Sequence, residues 1–228
     1  MMGDLTSWAP LWLSIRLASI TTVILLLLGT PLAWWLSRNH SKFKLFIESI
    51  VALPIVLPPT VLGFYLLVLF NPHSPVGHFW LRLTGSSLAF SFQGLVVGSV
   101  IYSFPFVVQP LQLAFESVGR QPLEVAATLG ASAWDRFCTV VLPLTKQGFL
   151  CAIVLGFAHT LGEFGVVLMI GGNIPGKTDV VSIAIFNHVE LLQYHQANVL
   201  ALLLLGFSFV ILFTLSYFNR HYRRLGIV

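Results

Sequence analysis

Long apolar runs separated by short polar or turn-rich segments dominate this chain. Five of them reach the roughly 20 residues that a helix needs to cross a bilayer. They cover residues 11–36, 45–70, 88–115, 149–170 and 197–218, and each predicts a membrane span. A sixth apolar stretch, 181–192, is too short to cross and predicts an interfacial or re-entrant helix on the outer face. Residues 71–87 are rich in Pro, Gly and Ser, and predict an outer loop anchored by Trp80. A second outer loop is predicted over 171–180. The chain opens Met-Met-Gly-Asp without a basic leader, and Trp8, Trp12, Trp34 and Trp35 flank the first run. That pattern fits a spanning helix with both ends at an interface, not a cleaved signal.

Two spans carry prolines. The second contains Pro54, Pro58 and Pro59, and the third contains Pro105 and Pro110. Each proline removes a backbone donor and clashes with the preceding turn, so both spans are expected to kink or break. Interrupted helices often line solute pathways. Gly94 and Gly98 at the head of span three fit a small-residue packing pattern, within the subunit or across a dimer.

Composition excludes whole classes of function. Charged residues make up 9% of the 228 positions and hydrophobic residues 57%, with mean hydropathy +0.89. A soluble domain carries about a quarter charged residues and could not bury this much apolar surface. Soluble enzymes, disordered regulators and disulfide scaffolds are thereby excluded; the two cysteines, Cys138 and Cys151, are too few for a framework. The net charge of +4 serves topology, not nucleic acid. Nine of the twelve basic residues fall after span one (Arg38, Lys42, Lys44), between spans three and four (Arg120, Arg136, Lys146) and in the tail (Arg220, Arg223, Arg224). With five spans these share one side, which the positive-inside rule makes cytoplasmic. The N-terminus is then outside and the C-terminus inside. Arg16 snorkels from the first turns of span one.

The cytoplasmic segment 120–145 predicts a helix, a glycine hinge and a second helix. Pro122 suits a first turn, Glu124 its positive end and Gly130 a left-handed stop. Ser132 and Asp135 have capping-box spacing. The second helix is expected to stop at Pro143. Leu123, Ala126, Ala127 and Leu129 form an apolar surface that asks for a groove on a partner.

Glu124, Ala126, Gly130, Leu142 and Pro143 match, at the expected spacing, the E-A-A-x3-G-x9-I-x-L-P signature of binding-protein-dependent ABC importer permeases. Val125 and Val140 depart from it, and Ala127 follows nearby. The runs Gly29–Ala33, Leu53–Pro59, Leu161–Gly165 and Gly172–Gly176 with Ser182–Ile185 resemble molybdate-transport permeases of the ModB type. Sulfate permeases share the EAA segment and a similar Gly-Glu-aromatic-Gly, but are usually longer. The resemblance implies an all-α membrane protein with the type I, MetI-like importer fold. It implies five transmembrane helices, a single permease domain over 1–228, and a coupling helix between spans three and four. It further implies an inner-membrane homodimer surrounded by lipid, with an ABC ATPase on the cytoplasmic face. An extracytoplasmic oxyanion-binding protein would supply the substrate. ATP hydrolysis belongs to the partner, so no catalytic residue, cofactor or metal is expected in this chain. Coupling to the ATPase would fall to Glu124, Ala126, Ala127, Gly130, Leu142 and Pro143. Candidates for the pathway or gate are Pro54, Pro58, Pro59, Pro105 and Glu163. Molybdate is the expected cargo, with sulfate, thiosulfate or tungstate as alternatives.

Ionisable side chains within spans cost about 2.5–3.5 kcal/mol at mid-membrane and are functional suspects. His159 and Glu163 lie four apart on one face of span four and predict a hydrogen-bonded pair that positions the helix. A metal site lacks a third ligand, and an intramembrane enzyme built on this pair is the reading from another class. Glu163 repels a dianion and is better suited to positioning or gating. Glu48 is expected to reach the cytoplasmic interface. Gly171–Thr178 matches the P-loop pattern, yet it lies on the outer side without an acidic partner strand or a nucleotide-binding domain, and is refused.

Overall fold

The computed structural model describes residues 8–224, with side chains through Thr214. The N-terminal Met-Met-Gly-Asp and the side chains of Arg220, Arg223 and Arg224 lie outside that description. Among the described residues every regular element is helical. Three helices are long and apolar enough to cross a membrane alone, and two bent pairs pass the same test together, which gives up to five spans among the described residues.

The first span is α1 (Ala9–Arg38), with Pro10 in its first turn, where an N–H is not needed. The second is not one helix. It divides into α2 (Lys42–Val56) and α3 (Pro59–Phe70), which meet at 109° across Leu57 and Pro58. Pro54 lies inside α2 without ending it. The break falls where the consecutive prolines Pro58 and Pro59 remove two adjacent donors, and Pro59 starts the next helix.

The expected loop at 71–87 contains a ten-residue amphipathic helix, α4 (Pro75–Thr84). Ser74 caps it by accepting the Gly77 N–H, and Gly85 stops it in the left-handed region at φ +70°. Val76, Phe79 and Leu83 face outward. Trp80 packs inward against the core, with its indole Nε1 buried, where an interface anchor had been expected.

Span three is α5 (Phe92–Ser117), which starts later than the apolar run because Ser91 accepts the Gly94 N–H at 3.0 Å. Contrary to expectation, Pro105 and Pro110 do not interrupt it. Pro105, Val107, Val108 and Leu111 are buried, and packing on both sides holds the helix through the missing donors.

The segment that follows contains α6 (Gln121–Thr128) and α7 (Ala133–Arg136). The second helix does not stop at Pro143. It passes through a π turn at Phe137–Val141 into α8 (Leu142–Leu144), where Pro143 occupies a first-turn position. Thr145 then closes on Val141 through both its N–H (2.9 Å) and its hydroxyl (2.7 Å). The polypeptide turns by 72° into α9 (Lys146–Gly162).

Span four is also broken. α9 ends at Gly162 and α10 (Gly165–Gly171) resumes after Glu163 and Phe164. The short helix α11 (Val181–Glu190) precedes α12 (Tyr194–Arg224), the last span. Val181 donates its N–H to Ser14 Oγ of α1 at 2.8 Å, which ties α11 to the first span.

The core has two centres. One, towards the N-terminal ends of α1 and α5, gathers Leu17, Leu66, Phe70, Leu95, Val166 and Ile170. The other gathers Leu25, Leu36, Val107, Leu111, Phe115 and Val141 from α1, α5 and the π turn. Helices approach closely at small residues, as expected without a hydrophobic drive between spans. A Cβ on Gly98 would collide with Ile170 Cδ1, so the glycine pattern serves packing of α10 within the subunit. α12 is different: only 11% of its apolar window is buried.

Candidate functional site

Three regions carry the residues singled out above. The first is the exposed segment from α6 to α8. No residue of α6 is buried. Val125 and Leu129 are 54% and 82% exposed, so an apolar surface stands free of the rest of the chain. Leu123 points the other way and packs on the second core centre, around Val107 and Phe115. Gly130 has φ +83°, a region that other residues rarely adopt, and Ala131 donates back to Ala126 O at 3.1 Å to close the helix end. The capping box forms: Asp135 N–H reaches Ser132 Oγ at 3.1 Å, and Ser132 N–H reaches Asp135 Oδ2 at 3.2 Å. Glu124 is exposed in the first turn of α6, while Leu142 and Pro143 are exposed in α8. The signature residues therefore lie on one short helix–hinge–helix unit fixed to the head of α9.

The second region is the junction of the two breaks. Gly165 packs so closely on Pro59 that a Cβ there would lie 2.6 Å from Pro59 Cβ. A Cβ on Gly63 of α3 would lie 2.7 Å from Met169 Cβ of α10. The half-helices α3 and α10 thus pair through residues without side chains. The carbonyl of Glu163, freed by the break, accepts the hydroxyl of Ser182 from α11 at 2.6 Å. This is the condition under which irregular backbone survives at membrane depth. Pro58, Pro59 and Glu163 flank these breaks; Pro54 and Pro105 are buried within continuous helices.

The third region is a polar cluster between α5 and α9. His159 does not pair with Glu163 as expected. Its Nδ1 is 2.9 Å from Ser103 Oγ, which also lies 3.0 Å from Thr160 Oγ1. Phe106 stacks on the imidazole at 3.8 Å between centroids, and Tyr102 covers it at 4.9 Å. The pairing fails because the helix ends before Glu163, so the two residues no longer share a helical face. Glu163 is 5% exposed, and the Ser99 hydroxyl lies beside its carboxylate. The Thr21 hydroxyl is buried without a partner.

Charge gathers where α2 meets the C-terminal end of α5. Lys44 Nζ lies 3.1 Å from Glu116 and 3.5 Å from Glu48, and Gln112 donates to both carboxylates at 3.0 and 2.6 Å. Glu48 therefore joins a network between α2 and α5, where a simple reach to the interface had been expected. Arg38 donates to Gly119 O at 2.9 Å, with its guanidinium 4.5 Å from the centre of the Trp34 ring. At the opposite end Arg16 lies over Phe92 at 5.0 Å.

In the loop between α10 and α11, Thr178 turns inward. It donates to Gly171 O at 2.8 Å and accepts from Ile174 N–H at 3.1 Å, which leaves no free hydroxyl for a nucleotide-bound ion. Burial pushes the Asp179 carboxyl above its ordinary range, opposed by the charge of His188.

The profile described as "Binding-protein-dependent transport system inner membrane component" matches residues 10–224. The molybdenum transport system permease protein ModB of Azotobacter vinelandii is 59% identical over 215 residues, covering 94% of this chain and 95% of that protein. The sulfate transport system permease protein CysT of Escherichia coli K12 is 31% identical over 231 residues, covering 96% and 83%. Among solved structures, an inward-facing MetNI methionine ABC transporter superposes with TM-score 0.71 over 93% of this chain and 94% of that one, at 16% identity.

Proposed function

The chain belongs to the binding-protein-dependent ABC importer permeases, in the ModB-type group, and we propose that it carries molybdate across the cytoplasmic membrane. The general activity, oxyanion import as the permease subunit of an ABC transporter, follows from membership. The choice of molybdate rests on one observation: 59% identity to a molybdenum permease along nearly the whole of both chains, against 31% for a sulfate permease.

On this reading the N-terminus is outside and the C-terminus in the cytoplasm. The single domain covers 1–228, with 120–145 as its coupling segment. Two copies line the pathway, and the exposed apolar faces of α12 meet lipid or the second copy. An extracytoplasmic binding protein delivers the anion to the outer surface. An ATPase subunit receives Glu124, Ala126, Ala127 and Gly130 of α6 in a cleft, with Leu142 and Pro143 bracing the unit on α9. Closure of two ATPase subunits draws the coupling segments together and opens the gate outward; hydrolysis resets it. The broken spans at Pro58–Pro59 and Glu163 supply the gate, with Pro54 and Pro105 shaping the helices beside it. Glu163 carries no positive partner and so cannot hold a dianion tightly. Selectivity then lies mainly with the binding protein.

The test is ATP-dependent uptake of labelled molybdate into proteoliposomes containing permease, ATPase and binding protein. Uptake that resists excess sulfate supports molybdate. Uptake erased by modest sulfate makes the chain a sulfate permease of the same mechanism, and stronger competition by tungstate than by unlabelled molybdate makes tungstate the cargo.

A further inference from the structure

We infer that a groove between the inner half of α1 and the coupling segment binds an anionic phospholipid of the cytoplasmic leaflet. The inference rests on the orientation proposed above. The groove has a volume of about 800 Å³. Leu27, Pro31 and Trp34 of α1 form one wall, and Leu123, Trp134 and Phe137 form the other. The walls are apolar, and Leu27 and Trp134 remain 70% and 72% exposed.

The charge at the rim identifies the occupant. Arg136 lines the groove and is half-buried. Its Nε donates to Ser132 O at a long 3.4 Å, and it makes no ion pair among the described residues. The neighbouring carboxylate, Asp135, is engaged by Ser132 in the capping box. Arg38, on the far side of Trp34, is engaged within the subunit: it donates to Gly119 O, and its Nε and Nη2 are buried. The Arg136 guanidinium thus borders an apolar slot whose lining contains no carboxylate. An extended peptide in this slot would leave backbone polar groups unpaired against apolar walls. An acyl chain has none to pair, and the phosphate of its headgroup would supply a negative charge for Arg136. Trp34 and Trp134 both line the groove, and tryptophan is the residue type of the interfacial belt where such a headgroup lies.

The site differs from the lipid-facing surface elsewhere because one wall is the coupling segment itself. A seated lipid bridges α1 to α6 and α7, so its occupancy is linked to the position of the segment that meets the ATPase.

The full chain can be reconstituted in phosphatidylcholine vesicles containing equal fractions of dibrominated phosphatidylglycerol or dibrominated phosphatidylcholine. Quenching of Trp134 is read as the difference between wild type and Trp134→Phe. The expected result is stronger quenching by the anionic lipid, an excess lost in Arg136→Gln and kept in Arg136→Lys. Leu27→Phe fills the groove from the α1 wall and is expected to lower quenching by both lipids. Equal quenching by the two lipids in wild type, or an excess that survives Arg136→Gln, overturns the site. A disulfide between two copies of Leu27→Cys also overturns it, because a second permease would then cover the groove. Labelling of Ser132→Cys from outside intact cells would defeat the proposed orientation separately, since the vesicle measurement reads both leaflets.

Discussion

Gly165 and Pro59 join the two interrupted spans: a Cβ on the glycine would sit 2.6 Å from the proline Cβ. Gly165→Ala must therefore push α10 from α3. Overpacking of this kind costs about 1–3 kcal/mol. The expected outcome is a lower unfolding temperature in detergent and slower uptake. Gly206→Ala on α12, where a Cβ meets nothing within 4 Å, should leave both unchanged.

Ser103 is fully buried and holds both His159 and Thr160. Ser103→Ala leaves the imidazole Nδ1 unpaired, a loss of about 1–3 kcal/mol. Thermal unfolding measures it. Phe106 keeps the ring stacked, so the fold should survive and uptake persist at a reduced rate. Replacing His159 and Glu163 together by Ala should likewise slow transport without ending it. Complete loss of activity in well-folded protein would favour the enzyme reading.

Gly130 at φ +83° excludes proline, whose ring fixes φ near −65°. Gly130→Pro should abolish co-purification of the ATPase while membrane insertion stays normal. Glu124→Lys puts a positive charge at the positive end of α6 and should do the same. Normal transport by both variants would remove the coupling role from this segment.

Asp179 has a buried Oδ1 without a partner, and burial raises its pKa from 3.8. A raised carboxyl makes the folded state hold its proton longer than the unfolded one. Stability is therefore lost as pH rises from about 3.8 through the folded-state value. Asp179→Asn should unfold at a higher temperature than wild type near neutral pH, and the two should converge in acid. A constant difference across pH would mean that the carboxyl's charge is not the cause.

The number of spans and the internal caps of the segment 120–145 were readable because hydropathy, Gly130 and Ser132 are local signals. α4 was equally readable from Ser74, Pro75 and Gly85, but the density of turn residues drew attention to a loop. Where a helix breaks was less readable. Pro58 with Pro59 breaks span two while Pro105 leaves span three whole, and burial by neighbouring helices decides between them. The break at Glu163 was hidden by an unbroken apolar run; Gly162 and Gly165 were its only marks. His159 and Glu163 parted for the same reason, because face sharing presumes an uninterrupted helix.

The π turn at Phe137–Val141 works as a phase shifter. One residue more than an α-helical turn advances everything beyond it by about 100° around the axis. Removing a single residue from this turn would restore the ordinary period and leave each element's sequence otherwise intact. The face that α6 and α7 present would then be wound out of step with the spans. A subunit so altered would keep its signature motif and its fold, yet aim its coupling surface in the wrong direction.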